Sequence, residues 1–107
     1  MTYGEDERME TIRKENVLQD LKRFQREFGP RYGILSLGLF GSLARDAASE
    51  DSDIDIVVRL KDPNLFTLSR IRIELEERLH RHVDIVSYRD RMNPFLKNRI
   101  QQEACYV

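Results

Sequence analysis

The stretch from Gly38 to Val58, GLFGSLARDAASEDSDIDIVV, constrains this chain more than any other. A short apolar run, Ile34 to Phe40, meets the pair Gly41-Ser42. Ten residues later come Asp53 and Asp55, with Ile54 between them. Side chains alternate along a strand, so the two aspartates share one face while Ile54, Ile56 and Val58 share the other. Two carboxylates are then held about 7 Å apart on one rigid element, close enough to share a divalent cation. Without a cation they repel.

The Gly-Ser pair meets a different need. A strand ending in glycine, followed by serine and the helix-like Leu43, Ala44 and Arg45, brings backbone N–H groups and a hydroxyl together where an anion can bind. Gly41 lets a phosphate approach the backbone with no side chain in the way. A phosphate cradle facing a carboxylate pair is what nucleotidyl transfer requires. Two metal ions there would neutralise a triphosphate, activate an incoming hydroxyl and stabilise the departing pyrophosphate.

The rest of the chain reads as a frame for this stretch. From about Glu5 to Phe28, Ile12, Val17, Leu18, Leu21, Phe24 and Phe28 recur at helical spacing, and Gly29-Pro30 is the expected stop. A short helix around Leu43 to Ala48 leads through the polar loop Ser49-Glu50-Asp51-Ser52 into a strand from about Asp53 to Leu60. Leu65, Leu68, Ile71, Leu75 and Leu79 mark a helix to about His82, with Glu74–Arg78 and Glu77–Arg81 as i,i+4 pairs. Val83 to Tyr88 is a third strand. Asn93-Pro94 opens a last helix whose apolar side is Phe95, Leu96 and Ile100, with a frayed end at Tyr106-Val107. The order predicts an α/β (α+β) fold, a small mixed β-sheet with helices packed mainly on one face, forming one domain over residues 1–107. Asp84, lodged between Val83 and Ile85, is poorly placed for packing and well placed to join Asp53 and Asp55 across the sheet.

Composition decides what the site serves. With 18 basic and 19 acidic residues the net charge is −1, which argues against broad binding to nucleic acid, though not against a local basic patch. The single Cys105 excludes an internal disulfide and a cysteine-rich zinc site, and fits a reducing compartment. The polar, acidic opening MTYGEDERME has no signal-peptide pattern and no long apolar segment follows, so the expected location is cytoplasmic, away from membrane. An EF-hand reading of Asp51, Asp53 and Asp55 fails because its sixth position would be Ile56 and not glycine. Gly38 and Gly41 form neither a dinucleotide fingerprint nor a Walker A loop. His80 and His82, at a helix end, read as surface residues near the dipole. Arg89, Arg91, Lys97 and Arg99 read as a solvated face, with contact to a partner or nucleotide as the alternative.

Gly41-Ser42, ten residues, Asp53-x-Asp55 and the later Asp84 resemble the nucleotidyltransferase superfamily. Gly-Ser-x-Ala-Arg and Asp-Ser-Asp-Ile-Asp resemble more closely its minimal nucleotidyltransferases (MNT), the antitoxins encoded beside HEPN-domain toxins. The resemblance implies that Asp53, Asp55 and Asp84 are catalytic and ligate two Mg²⁺ ions, Asp84 helping to deprotonate the attacking hydroxyl. It implies that Gly41 and Ser42, assisted by Arg45, hold the phosphates of ATP. It further implies transfer of AMP to a tyrosine of a cognate HEPN ribonuclease toxin. A binding module that neutralises its toxin by occlusion, and a transferase acting on small molecules, stay open beside that reading. Neither histidine has the upstream arginine of the HEPN ribonuclease motif. One departure is visible: members usually carry glycine after Ala-Arg, where this chain has Asp46.

Overall fold

The computed structural model describes residues 12–47 and 53–107. The expected helical turns from Glu5 to Thr11, and the loop Ser49 to Ser52 with Ala48 before it, lie outside the described residues. Helix α1 spans Lys14–Tyr32, strand β1 Ile34–Phe40, the one-turn helix α2 Gly41–Ala44, β2 Ile54–Leu60, α3 Leu65–Leu79, β3 Val83–Ser87, α4 Pro94–Glu103 and β4 Cys105–Tyr106. The four strands form one mixed sheet in the order β3-β2-β1-β4, with β2 and β3 parallel and the other two pairings antiparallel. No helix among the described residues is long and apolar enough to cross a membrane.

The predicted periodicities set the packing. Val17, Leu21 and Phe24 on α1 and Ile71 and Leu75 on α3 are buried against Leu37, Leu39, Ile54, Ile56, Val58 and Val83 of one sheet face. Each such side chain contributes about 1.5–3 kcal/mol by leaving water. A smaller cluster of Phe40, Val57 and Ile100 seats α4 on the opposite face. Two helices therefore cover one face and one lies on the other, within the predicted class. An irregularity in the β1–β2 register between Ile34 and Ser36 resets the alternation, so Ile34 joins Leu37 in the core while Leu35 is thrown outward.

Three expectations are corrected. Helix α1 does not stop at Gly29-Pro30 but runs to Tyr32 and ends at Gly33, which takes the left-handed φ of 67° and donates its N–H to Gly29 O. Proline removes only the hydrogen bond to Arg26 O, on an exposed side of the helix that water can serve. The extra turn is held by Tyr32, whose ring stacks on Phe28 at 5.9 Å and whose hydroxyl donates to Glu74 at 2.9 Å. On α4, Phe95 is 84% exposed and points away from the apolar side that Ile100 occupies. The residues after α4 are not frayed: β4 pairs with Gly38 and Leu39, and Val107 N–H donates to Leu37 O at 2.9 Å. In addition, Arg78 reaches across to Glu27 at 2.7 Å and lies over the rings of Phe24 and Phe28.

Candidate active site

The sheet register assembles the site. Phe40 pairs with Asp55, and Asp55 pairs with Asp84, so one row crosses β1, β2 and β3. Since Ile54, Ile56 and Val58 turn into the main core, Asp55 falls on the α4 face with Val57. Gly41-Ser42 follows Phe40 directly, and Asp53 immediately precedes β2. Antiparallel β1 ends where β2 and β3 begin. Gly41, Ser42, Arg45, Asp53, Asp55 and Asp84 are thus gathered at one end of the sheet.

Asp53 and Asp84 meet there with a residue the sequence reading had left on the surface. His82 Nδ1 lies 3.4 Å from Asp53 Oδ2, and potential ligand atoms of Asp53, His82 and Asp84 all lie within 4.8 Å of one another. Ile54 N–H donates to His82 O at 3.0 Å, which ties the chain before β3 to the start of β2. Glu76 backs the arrangement by accepting the N–H of Val83 at 2.9 Å. That bond, with the charges of Arg72 and His82, holds the Glu76 carboxyl below its ordinary pKa.

Asp55 lies within β2, two residues beyond Asp53. Burial pushes its carboxyl up, the charge of Asp84 adds to this, Arg99 opposes it, and Asp53 and Glu103 push it up further. The carboxylate packs on Gly41, where an added Cβ would come within 2.9 Å of Asp55 Cγ. Gly41 also has φ 80°, in the left-handed region. The elbow between β1 and α2 therefore demands glycine for both its backbone and its neighbour. Ser42 is half-buried at this elbow, and its carbonyl accepts the N–H of Ala47 at 2.8 Å. Asp46, where the resemblance calls for glycine, adopts φ 59°, so the backbone keeps a glycine-like turn with a different side chain.

Gly41 N–H donates to Glu103 Oε1 at 3.2 Å, and Arg45 Nη1 donates to Glu103 Oε2 at 2.9 Å. Arg99 Nη2 stands 3.7 Å from Glu103 Oε1, and its guanidinium lies over the Phe40 ring at 5.7 Å. The sequence alone does not single out His82 or Glu103 as neighbours of the site, and offers Arg99 only within a basic set for which nucleotide contact is the alternative reading. The signals were faint: His82 precedes Asp84 by two positions, the spacing of one strand face, and Arg99 and Glu103 are an i,i+4 pair on the last helix.

These residues can do recognisable chemistry. Clustered carboxylates with an imidazole offer oxygen and nitrogen donors to a hard cation. Beside them lie a backbone N–H and two guanidinium groups, all donors to anions.

Comparison with known proteins agrees with this geometry. Residues 14–107 match the model of the nucleotidyltransferase domain. A candidate protein adenylyltransferase of Methanocaldococcus jannaschii is 41% identical over 78 residues, 72% of this chain and 83% of its own length. The solved structure of a candidate minimal nucleotidyltransferase superposes with a TM-score of 0.73 at 32% identity, covering 88% of this chain and 95% of that one. A chain from the solved complex of a tri-AMPylated Shewanella oneidensis HEPN toxin with its MNT antitoxin superposes with a TM-score of 0.64, over 86% of this chain and 69% of that one. At 20% identity that last likeness is one of fold. The β1–α2 elbow, the row of acids and the family match over nearly all the described residues lead to one conclusion: this chain belongs to the nucleotidyltransferase domain family, in its minimal, MNT-like form.

Proposed function

We propose that the protein is a Mg²⁺-dependent protein adenylyltransferase that acts as an antitoxin, moving AMP from ATP to a tyrosine of a cognate HEPN ribonuclease toxin. The observation that carries this reading is the row Phe40–Asp55–Asp84, which sets the acids beside the Gly41 elbow. Adenylyl transfer to protein is the activity for which the Methanocaldococcus jannaschii relative is named, and the Shewanella oneidensis complex supplies the precedent for the partner.

In this reading Gly41 N–H, Ser42 and Arg45 orient the triphosphate, and Asp53, Asp55 and Asp84 hold the metal. Bound Mg²⁺ would offset the charge of the triphosphate and of the pyrophosphate that leaves. The tyrosine oxygen attacks the α-phosphorus, its bond to phosphorus forms as the bond to the pyrophosphate oxygen breaks, and the phenolic proton passes to Asp84. Asp53 and Asp84 are exposed at this end of the sheet, so a protein side chain can approach them from solvent. The domain works in a reducing, cytoplasmic setting as one unit over residues 1–107.

Turnover tests the proposal. About one molecule of this protein per ten toxins, with Mg-ATP, should abolish toxin ribonuclease activity and raise the toxin's mass by one or more AMP units. Asp53→Asn combined with Asp55→Asn should still contact the toxin yet fail to protect at that ratio. Equal protection by parent and double variant, without a mass gain, would refute catalysis and leave occlusion.

A further inference from the structure

Glu103 is an acid placed among donors that suit an anion. Its two oxygens take up the Gly41 N–H at 3.2 Å and Arg45 at 2.9 Å, with Arg99 at 3.7 Å from the first. Its side chain is only 18% accessible, whereas those of Arg45 and Arg99 are 47% and 50% accessible. A carboxylate and a phosphate present the same kind of surface, acceptor oxygens that a guanidinium can grip in a fork.

Sheet geometry fixes Glu103 in this position. Gly38 pairs with Tyr106 and Leu39 with Cys105, and Glu103, the last residue of α4, lies two residues before β4 as Gly41 lies two residues after Leu39. The contact is therefore a consequence of β4 docking on β1. Docking of α4 reinforces it, since Ile100 is buried against Phe40 and Val57.

Resting on the nucleotidyl-transfer reading, we propose that Glu103 is a resident stand-in for nucleotide phosphate: its carboxylate holds Gly41 N–H, Arg45 and Arg99 in place, and an incoming polyphosphate displaces it and takes over all three donors. Arg99 thereby becomes a phosphate-binding residue on α4. Glu103 becomes a positioning residue that sets nucleotide affinity. A polyphosphate brings more negative charge than one carboxylate and offers more acceptors, so it wins at sufficient concentration. At low nucleotide the acid keeps the donors engaged.

Calorimetric titration with a non-hydrolysable ATP analogue and Mg²⁺, and separately with inorganic tripolyphosphate, tests this on the intact chain. If the Glu103-bound state is about nine-tenths populated, Glu103→Ala should tighten binding of both probes roughly 10-fold. Glu103→Gln, which keeps shape but loses charge, should tighten it by a smaller factor and guards against misfolding of the alanine variant. Arg99→Ala added to Glu103→Ala should weaken binding again by several-fold. Unchanged or weaker binding by Glu103→Ala, with the parent binding normally, would overturn the proposal and make Glu103 a structural strut. Tightening confined to the ATP analogue would also overturn it, because the competition would not be for phosphate. Absence of binding by parent and every variant would refute the nucleotidyl-transfer reading itself.

Discussion

Replacing Asp55 with asparagine should make the metal-free protein more stable. Neighbouring strands lie about 4.8 Å apart, so unit charges on one row repel by about 3 kcal/mol at an effective dielectric of about 20, and by just under 1 kcal/mol in bulk water. Asp55 is half-buried and Asp84 exposed, which places the screened cost near the lower end, about 1 kcal/mol. Asparagine keeps the shape packed on Gly41 and removes the charge. For a domain of this size the melting temperature in chelator at pH 8 should rise by about 4 °C. Asp55 is pushed up by burial first and by Asp84 second, so between its unfolded and folded pKa the folded protein binds the extra proton. Stability then falls as pH rises through that interval and levels off above it. The advantage of the variant should be complete at pH 8 and vanish as pH falls toward about 4, the ordinary aspartate range. Mg²⁺ should raise the melting temperature of the parent more than that of the variant. A variant that melts below the parent at pH 8 in chelator, or a difference that does not change with pH, would refute the shared, mutually repelling site.

Two further substitutions probe the elbow. Gly41→Ala meets both a left-handed backbone and the Asp55 carboxylate, so it should destabilise by about 2 kcal/mol or more in chemical denaturation and eliminate transfer; a variant as stable as the parent would show that the elbow relaxes freely. Asp46→Gly relieves a non-glycine residue at φ 59° and should stabilise by up to about 1 kcal/mol in the same assay, whereas a loss of stability would mean that the aspartate side chain contributes more than its backbone costs.

Much of this arrangement was legible in the sequence, because period and spacing report faces. The Asp-x-Asp alternation identified the acidic face of β2, and Asp84 announced itself by sitting charged inside an apolar run. What stayed hidden depended on pairings distant in sequence. No local signal says that β4 adds to the edge of β1, since Cys105 and Tyr106 form a strand only two residues long whose partners, Leu39 and Gly38, lie 66 and 68 positions away. Without that pairing Glu103 reads as an ordinary helix-end acid, and Arg99 as one of a set of solvated bases. His82 is exposed, as a surface residue is, but its place beside Asp53 has no local signal: it follows a helix that ends at Leu79, and the β2–β3 pairing with the hydrogen bond from Ile54 N–H to its carbonyl brings it there. At Pro30 local rules weigh one lost hydrogen bond and do not see the stacked rings of Phe28 and Tyr32 that hold the helix together around it.

The two faces of the sheet divide the work, and that division determines how substitutions should be interpreted. Among the described residues the buried core holds no polar or charged side chain, and its main cluster lies on the face covered by α1 and α3. Asp55 and Val57 turn to the other face, where α4 packs through Ile100 and carries Arg99 and Glu103 toward Gly41. A change of charge at the site is therefore felt mainly through electrostatics and the elbow, while the α1–α3 core retains its contacts. The connection between the faces is the backbone of β2, in which each aspartate alternates with a buried isoleucine or valine. A one-residue slip of β2 would turn Asp55 and Arg59 into the face lined by Leu37, Leu39 and Leu75 and take Ile54 and Ile56 out of it. Burying an unpaired carboxylate and a guanidinium in such a core costs several kcal/mol. The hydrophobic face of β2 thus sets its register, and that register is what aligns Asp55 with Asp84 on one side and with Phe40, next to Gly41, on the other.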